Sequence, residues 1–475
     1  VTRLDRTALA SLPAGTGPLA DPRALRTRIV HLGLGAFHRA HQAVHTEQAE
    51  ALHGGGWGIA GFSQRSRSVL EALRPQDGLY SLTLRTPEGP RTRVVGQLAE
   101  VRHAADDAAR LRELLASPEV SVVTSTVTEK GYWRAADGGL DLRAAPVAAD
   151  LAGGPEPVTV VGQLAHGLRA RRATSRAPLS VVCCDNMADN GKVVARLVRD
   201  YVQAAGWPDT DLLLEWIADQ VAFPSTVVDR IVPAATDADR DAASAVLGVR
   251  DEGAVAGEPF TQWVLQDTFA AQRPRWEDTG ARFVPDVAPY QVMKLRLLNG
   301  SHTLLSCLGL ADGRETVADA VTAPWGEPVL RAYAAEVART LPGDLDVEGY
   351  VDSLVARFGN PAMRHLLRQI ATDGSLKVTE RWLPPLRALR SAGLPAPVLT
   401  GALAGWVRHT RDQRLDDPAA DRIHAVWRTT GRGGAVRELL ALLGAPDLAE
   451  DTPFVTAVEE RVAALDTAGP TALLH

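Results

Sequence analysis

The sequence predicts an α/β protein of two parts, a parallel β-sheet flanked by helices followed by a mainly helical region. Three observations carry this. Short β-branched runs alternate with helical stretches through the first half, a Gly-x-Gly turn closes the first of those runs, and strand-like runs cease from about Pro289. Strand–helix–strand alternation implies parallel pairing, because a helical crossover returns the chain to the same end of the sheet. A chain of 475 residues has room for two large domains.

Residues 28–33 (RIVHLG) read as the first strand, 35–52 as the helix after it and 57–62 (WGIAGF) as the second strand. Residues 106–117 have helical spacing. Residues 120–127 and 179–184 form the third and fourth strands, and 190–206 an amphipathic helix with Val193, Leu197 and Tyr201 along one stripe. Residues 255–269 and 282–284 are expected to add strands to the same sheet. The boundary falls near 285–289, so that 1–285 is the first domain and 286–475 the second. Helices are expected over 290–308, 324–340, 347–358, 361–372, 383–393, 397–409 and 419–427, with no strand among them.

Composition narrows the function. With 45% hydrophobic and 23% charged residues the chain has the balance of a folded globular protein. A net charge of -6 leaves no basic footprint for nucleic acid and no polybasic membrane patch. No apolar run nears the roughly 18 residues of a membrane span, and no leader-like segment opens the sequence. Cys183, Cys184 and Cys307 are odd in number and include an adjacent pair, so no full disulfide framework is expected. The expected location is the cytoplasm. The sequence sets no oligomeric state.

In IVHLGLGAFHRAHQA, Gly33 and Gly35 occupy a strand-to-helix turn, the first half of a dinucleotide fingerprint. The first glycine permits the tight turn and the second lets the backbone approach a pyrophosphate at the start of the helix, where Ala36 and Phe37 follow. His38 stands where the third glycine of such a motif would be. After the second strand the chain reads Gly61-Phe62-Ser63-Gln64-Arg65-Ser66-Arg67, without the acid that binds the 2′-hydroxyl of NAD. Gln64 can bond a hydroxyl, whereas Arg65 or Arg67 can face the 2′-phosphate of NADP, so these residues leave both cofactors open. His38, His41 and His45 fall three and four apart on one helical face. No cysteine or acid pair completes a metal site nearby, and no metal is expected.

The strongest chemical signal is YQVMKLRLLNGSH over 290–302. At about 100° per residue, Asn299 lies ~140° and His302 ~80° from Lys294, so the three polar groups share one side of a helix. The Asn-Gly pair has poor helix propensity, a local violation expected where a site requires it. Oxidising a secondary alcohol requires removal of its hydroxyl proton as hydride leaves carbon. A desolvated lysine can take that proton, an Asn amide can donate to the developing oxyanion, and a histidine can orient the substrate. A second polar cluster, Cys184-Asp185-Asn186-Met187-Ala188-Asp189-Asn190-Gly191, follows the fourth strand, at the end of a sheet where ligands bind. Asn186 or Asn190 is a candidate to complete the oxyanion site; a turn or cap role is the commoner use of Asn.

These segments together resemble the polyol-specific long-chain dehydrogenases, a family that includes mannitol 2-dehydrogenase and the mannonate oxidoreductases (fructuronate reductases). The resembling motifs are GLGAFHRAHQA (33–43), PQDGLYSL (75–82), TEKGY (128–132), CDNMADNG (184–191), AFPSTVVDRIVP (222–233), KLRLLNGSH (294–302) and QIATDGSLK (369–377). The resemblance implies a Rossmann-type first domain, a helical second domain and an active site between them. It also implies metal-independent hydride transfer to NAD, with Lys294 as general acid/base, Asn299 and Asn190 at the oxyanion and His302 and Lys377 on the substrate. Glu129-Lys130 and Asp185-Asn186 fall in motifs near the cofactor and substrate. Many members carry Glu three residues before the catalytic lysine, where this chain has Gln291.

CDNM and QIATDGSLK are closer to the mannonate oxidoreductases. A hexonate requires a cation for its carboxylate, and Lys377, Arg368 or Arg381 can provide one. The expected reaction interconverts D-mannonate and D-fructuronate. The alternatives are a polyol dehydrogenase acting on mannitol, arabinitol or sorbitol, and a non-catalytic nucleotide-sensing protein.

Overall fold

Six strands form the first unit's main sheet: β1 (Arg26–Leu32), β2 (Trp57–Ser63), β3 (Leu98–His103), β4 (Val122–Ser125), β5 (Leu179–Cys183) and β6 (Val221–Ala222). Their order is β3-β2-β1-β4-β5-β6 and every pair is parallel. This is the doubly wound dinucleotide-binding order, in which the chain leaves β1 toward opposite edges and opens a crevice beyond the carboxyl ends of β1 and β4. The computed structural model describes residues 2–154, 156–431 and 433–474, and divides into two compact units between Ala288 and Pro289.

Strand side chains alternate between two cores, as a period of two requires. Val30, Ala60, Val123 and Val181 enter one core, while Ile29, Ile59, Val122 and Val182 enter the other. Both faces of the sheet are therefore covered, and β2 is buried along its whole length. The expected single helix over 35–52 is two helices, α1 (Ala36–Ala40) and α2 (Gln42–His53). The break is at His41, whose backbone leaves the helical region and whose Nε2 bonds the Gln262 carbonyl at 2.9 Å.

The strands expected over 255–269 and 282–284 exist but do not extend the main sheet. Val255–Gly257 pairs with a hairpin of Tyr80–Thr86 and Gly89–Val95, and Gln262–Gln266 joins Arg282–Val284 and Thr226–Asp229. The edges of the main sheet are taken by β3 and β6.

The second unit is helical, with no strand among the described residues. Its central helix, α3 (Gly300–Ala311), is buried from Gly300 through Gly309, which is how a helix apolar on all sides is accommodated. α4 (Gly326–Ala338), α5 (Val347–Phe358), α6 (Gly374–Arg381), α7 (Pro397–Asp412) and α8 (Thr452–Ala468) supply further residues of its core. The helix expected over 361–372 is instead a 3-10 turn (Pro361–Met363), a break and a short helix (Leu367–Ile370). At the break Arg364 has φ 34°, and the backbone crosses to 315–317, with Val317 N–H on the His365 carbonyl and Leu367 N–H on that of Glu315. No helix among the described residues is long and apolar enough to cross a membrane.

Candidate active site

At the end of β1, Gly33 has φ 99°, and a Cβ there would collide with the Thr126 carbonyl that follows β4. Glycine is required because the two strand ends meet at this point. Gly35 is different: it is exposed, and the nearest atom to a Cβ would be the Gly33 carbonyl oxygen at 3.8 Å. Gly35 caps α1, where the amides of Ala36 and Phe37 have no intrahelical acceptor. An approachable backbone at the topological switch point, followed by free first-turn amides, fits a dinucleotide pyrophosphate.

His38, in place of a third glycine, is buried and stacks on His31 with ring centroids 3.4 Å apart. His31 Nε2 donates to the Gly33 carbonyl at 3.0 Å, so its Nδ1 accepts from the Thr124 hydroxyl at 2.8 Å. Burial pushes His31 down to about 3 and His45 to about 4, and holds His38 well below the ordinary histidine range. These rings are neutral in the folded chain. Below pH 6.5 the unfolded chain takes up protons that the folded chain refuses, so stability must fall on acidification, by up to about 1.4 kcal/mol per histidine per pH unit. Thermal unfolding should show the midpoint dropping steadily from pH 6.5 to pH 4; a flat midpoint across that window would contradict buried neutral histidines. His41 and His45 bond the Gln262 carbonyl and the Thr279 and Thr261 hydroxyls. No group of three His, Cys, Asp or Glu among the described residues is placed to hold a metal.

Beyond β2 the three polar candidates differ. Gln64 forms a reciprocal amide pair with Gln163, at 3.1 and 3.2 Å. Arg67 forms a two-point ion pair with Asp106. Arg65 is exposed.

The loops after β4 and β5 are tied together by Asp185. Its carboxylate accepts from the Val127 and Thr128 amides at 3.0 and 2.8 Å and from the Tyr132 hydroxyl at 2.6 Å. Thr128 is held at φ 70°, and Glu129, Lys130 and Asn186 stand exposed on these loops. Asn190 is fully buried. Its Nδ2 donates toward the Asp185 carbonyl and to Thr226, and its Oδ1 accepts from the Thr226 amide at 2.8 Å. Both ends of the amide thus fasten the β5 loop to the strand Thr226–Asp229.

In the second unit, the lysine segment departs from α geometry. Ala288–Met293 is α-helical, Lys294–Asn299 is a π-helix, and α3 continues from Gly300. The Gly300 amide reaches the Leu295 carbonyl, five residues back. The wider turn of a π segment swings Asn299 toward the side of Lys294, about one turn on, whereas the α spacing expected from the sequence set them ~140° apart. Lys294 is buried and Asn299 half-buried.

Three side chains bond carbonyls of this segment. Tyr333 Oη donates to the Arg296 carbonyl at 2.8 Å, Arg381 Nη1 to that of Asn299 at 3.1 Å and Trp382 Nε1 to that of Gly300 at 3.2 Å. Arg381 also donates to the Thr303 hydroxyl at 2.8 Å. A Cβ on residue 300 would overlap the Tyr333 hydroxyl, which accounts for a glycine in mid-helix.

His302 is buried, stacked on Phe358 at 4.4 Å and edge-on to His365 at 5.1 Å, and its Nε2 has no hydrogen-bond partner among the described residues. Burial first, then the charges of His365, Arg357, Arg381 and Lys377, hold it well below the ordinary histidine range. Lys377 Nζ bonds the Ile370 and Thr372 carbonyls at 3.0 and 2.6 Å, and desolvation and Arg381 lower its pKa. Arg368 is exposed on the short helix Leu367–Ile370.

Two family models match the chain, the mannitol dehydrogenase Rossmann domain over residues 27–278 and the mannitol dehydrogenase C-terminal domain over 286–466. The chain belongs to the mannitol dehydrogenase family. It is 38% identical to D-mannonate oxidoreductase of Escherichia coli (strain K12), with 93% of each chain covered. Among solved structures it is similar to a substrate-free D-sorbitol dehydrogenase (TM-score 0.91, 30% identity, all of both chains). It is also similar to Pseudomonas fluorescens mannitol 2-dehydrogenase in a ternary complex with NAD and D-mannitol (TM-score 0.80, 31% identity, 100% and 99% covered).

As a mannitol dehydrogenase family member the chain is an oxidoreductase, which sets aside the nucleotide-sensing alternative. Sequence reasoning placed Lys294, Asn299 and His302 on one segment, and the structure keeps them there with Lys377 and Arg381 around His302. It missed Arg357, His365, Tyr333 and Trp382, which lie on separate elements. The one sequence signal for Tyr333 and Trp382 was Gly300 itself, a residue that marks close approach when it interrupts a helix.

Proposed function

We propose that this chain interconverts D-mannonate and D-fructuronate with NAD, its first unit holding the cofactor and its second the reacting alcohol. The observation that carries this reading is the set of cations bearing on His302. Lys377 and Arg381 bond mainly backbone carbonyls, whose dipoles leave the net charge in place. A hexonate carboxylate is the complementary group. The 38% identity to a D-mannonate oxidoreductase, against 31% to 36% to mannitol 2-dehydrogenases, leans slightly the same way.

The turn residues Gly33, Gly35, Ala36 and Phe37 would hold the pyrophosphate of NAD, which would supply the hydride acceptor when bound. Lys294 takes the hydroxyl proton from the alcohol, and in reduction returns it to the ketone oxygen. The Asn299 amide donates to that oxygen, one helical turn from the lysine. Neutral His302 offers its unpartnered Nε2 to a substrate hydroxyl. Asn190, with its amide bonded to Thr226 and Asp185, shapes the loop after β5 from beneath. With Gln291 in place of an acid, the proton leaves Lys294 by water rather than by a carboxylate relay. Three buried free cysteines suit a reducing cytoplasm.

The similarity to a D-sorbitol dehydrogenase over its whole length favours a second reading, oxidation of an uncharged polyol. Turnover of D-mannonate, D-mannitol, D-arabinitol and D-sorbitol with NAD and with NADP separates the two. Hydrogen bonds to charged groups contribute about 1.5–3 kcal/mol, so kcat/KM for D-mannonate should exceed that for D-mannitol by at least about tenfold. Turnover of D-mannitol with none of D-mannonate would sink the aldonate reading.

A further inference from the structure

We infer that Tyr333 and Trp382 are positioning residues that hold the Lys294–Asn299 segment in its π form, so that the proton acceptor and the oxyanion donor stand one turn apart. This rests on the reading of Lys294 as the proton-transfer group. A π turn disturbs the four-residue ladder of a helix and leaves backbone groups to be satisfied from outside. Here the outside donors are on other elements: Tyr333 on α4, and Arg381 and Trp382 at the end of α6. Both rings are buried, Tyr333 completely, so neither hydroxyl nor indole N–H has water as a ready substitute.

The fit is specific at Gly300. The Tyr333 hydroxyl occupies the space of the missing Cβ and bonds the Arg296 carbonyl four residues earlier, while Trp382 bonds the carbonyl of Gly300 itself. One ring thus engages each side of the junction between the π turn and α3. Reversion of the segment to α geometry would rotate Asn299 away from Lys294 and leave Tyr333 without its acceptor. The Asn-Gly pair, unfavourable for a helix by propensity, is the sequence trace of this arrangement.

Tyr333→Phe removes one oxygen and keeps the ring. The expected result is a folded enzyme with NAD affinity and substrate KM unchanged within about twofold, kcat lowered at least about tenfold, and a kcat–pH profile displaced from that of the wild type. Trp382→Phe removes the second donor and should act in the same sense, and it carries the test should Tyr333→Phe not fold. Wild-type kcat and pH profile in whichever of these folds would overturn the inference, and so would failure of both to fold, since that makes the donors structural supports. Lys294→Ala is the control: if it retains full activity the reading of Lys294 fails, whereas an inactive Lys294→Ala beside a normal Tyr333→Phe defeats the positioning role alone.

Discussion

Replacing Lys294 with Ala is expected to lower kcat for alcohol oxidation by about 10²–10⁴-fold, the usual contribution of a positioned general base. The Lys294 side chain is buried at the start of the π turn, and truncation removes the amine while leaving the Tyr333 and Trp382 donors in place. Affinity for NAD should be unchanged, because the residues that fit the pyrophosphate lie in the first unit. Lys294→Arg should be nearly as damaging, since a guanidinium cannot give up its proton in the working pH range. Steady-state oxidation of D-mannonate, with NAD affinity from calorimetry, checks both. A loss confined to KM would show that Lys294 binds substrate and does not move its proton.

The second large effect is expected at Gly33. Gly33→Ala places a methyl against the Thr126 carbonyl at a φ that L side chains rarely adopt. That carbonyl cannot swing aside cheaply, because the Thr126 amide bonds Leu32 at 2.9 Å and its hydroxyl bonds the Gly33 carbonyl at 2.9 Å. Strain and overpacking each contribute about 1–3 kcal/mol, so a stability loss of roughly 3 kcal/mol is expected, with NAD binding lost alongside. Gly35→Ala is the contrast. Its Cβ meets only ordinary contact with the Gly33 carbonyl oxygen, 3.8 Å away, at an ordinary φ, so stability should hold within about 1 kcal/mol while NAD affinity falls about tenfold. Denaturant unfolding together with NAD titration separates the two. Equal stability of both variants would contradict the close approach of β1 and β4.

The sheet was legible in the sequence where strands are buried on both faces. β1, β2, β4 and β5 read as short continuous apolar runs because both cores need them. β3 (LAEVRH) and the hairpin around Gly89 were missed because their exposed faces carry Arg, Glu and Thr, which dilutes the signal. The helix over 361–372 failed for a tertiary reason: the chain turns at Arg364 to pair with 315–317, which no local pattern reports.

In the candidate site, residue types were legible and geometry was not. The sequence shows Lys294, Asn299 and His302 on one segment, but a rule of 3.6 residues per turn does not hold across the π turn from Lys294 to Asn299. The π turn and its junction with α3 are bonded by donors 37 and 82 residues away in sequence, the separations of Tyr333 from Arg296 and of Trp382 from Gly300. Likewise, the sequence offers Arg381 as a cation for a carboxylate but does not show that its Nη1 also bonds the Asn299 carbonyl and the Thr303 hydroxyl.

The proton of alcohol oxidation is proposed to pass through Lys294. Chemical rescue tests it most directly: Lys294→Ala assayed with D-mannonate and NAD in the presence of small primary amines. Methylamine or ethylamine should restore turnover in proportion to the free-base concentration, with more basic amines more effective at equal free base. Undiminished activity of Lys294→Ala without any amine would contradict it.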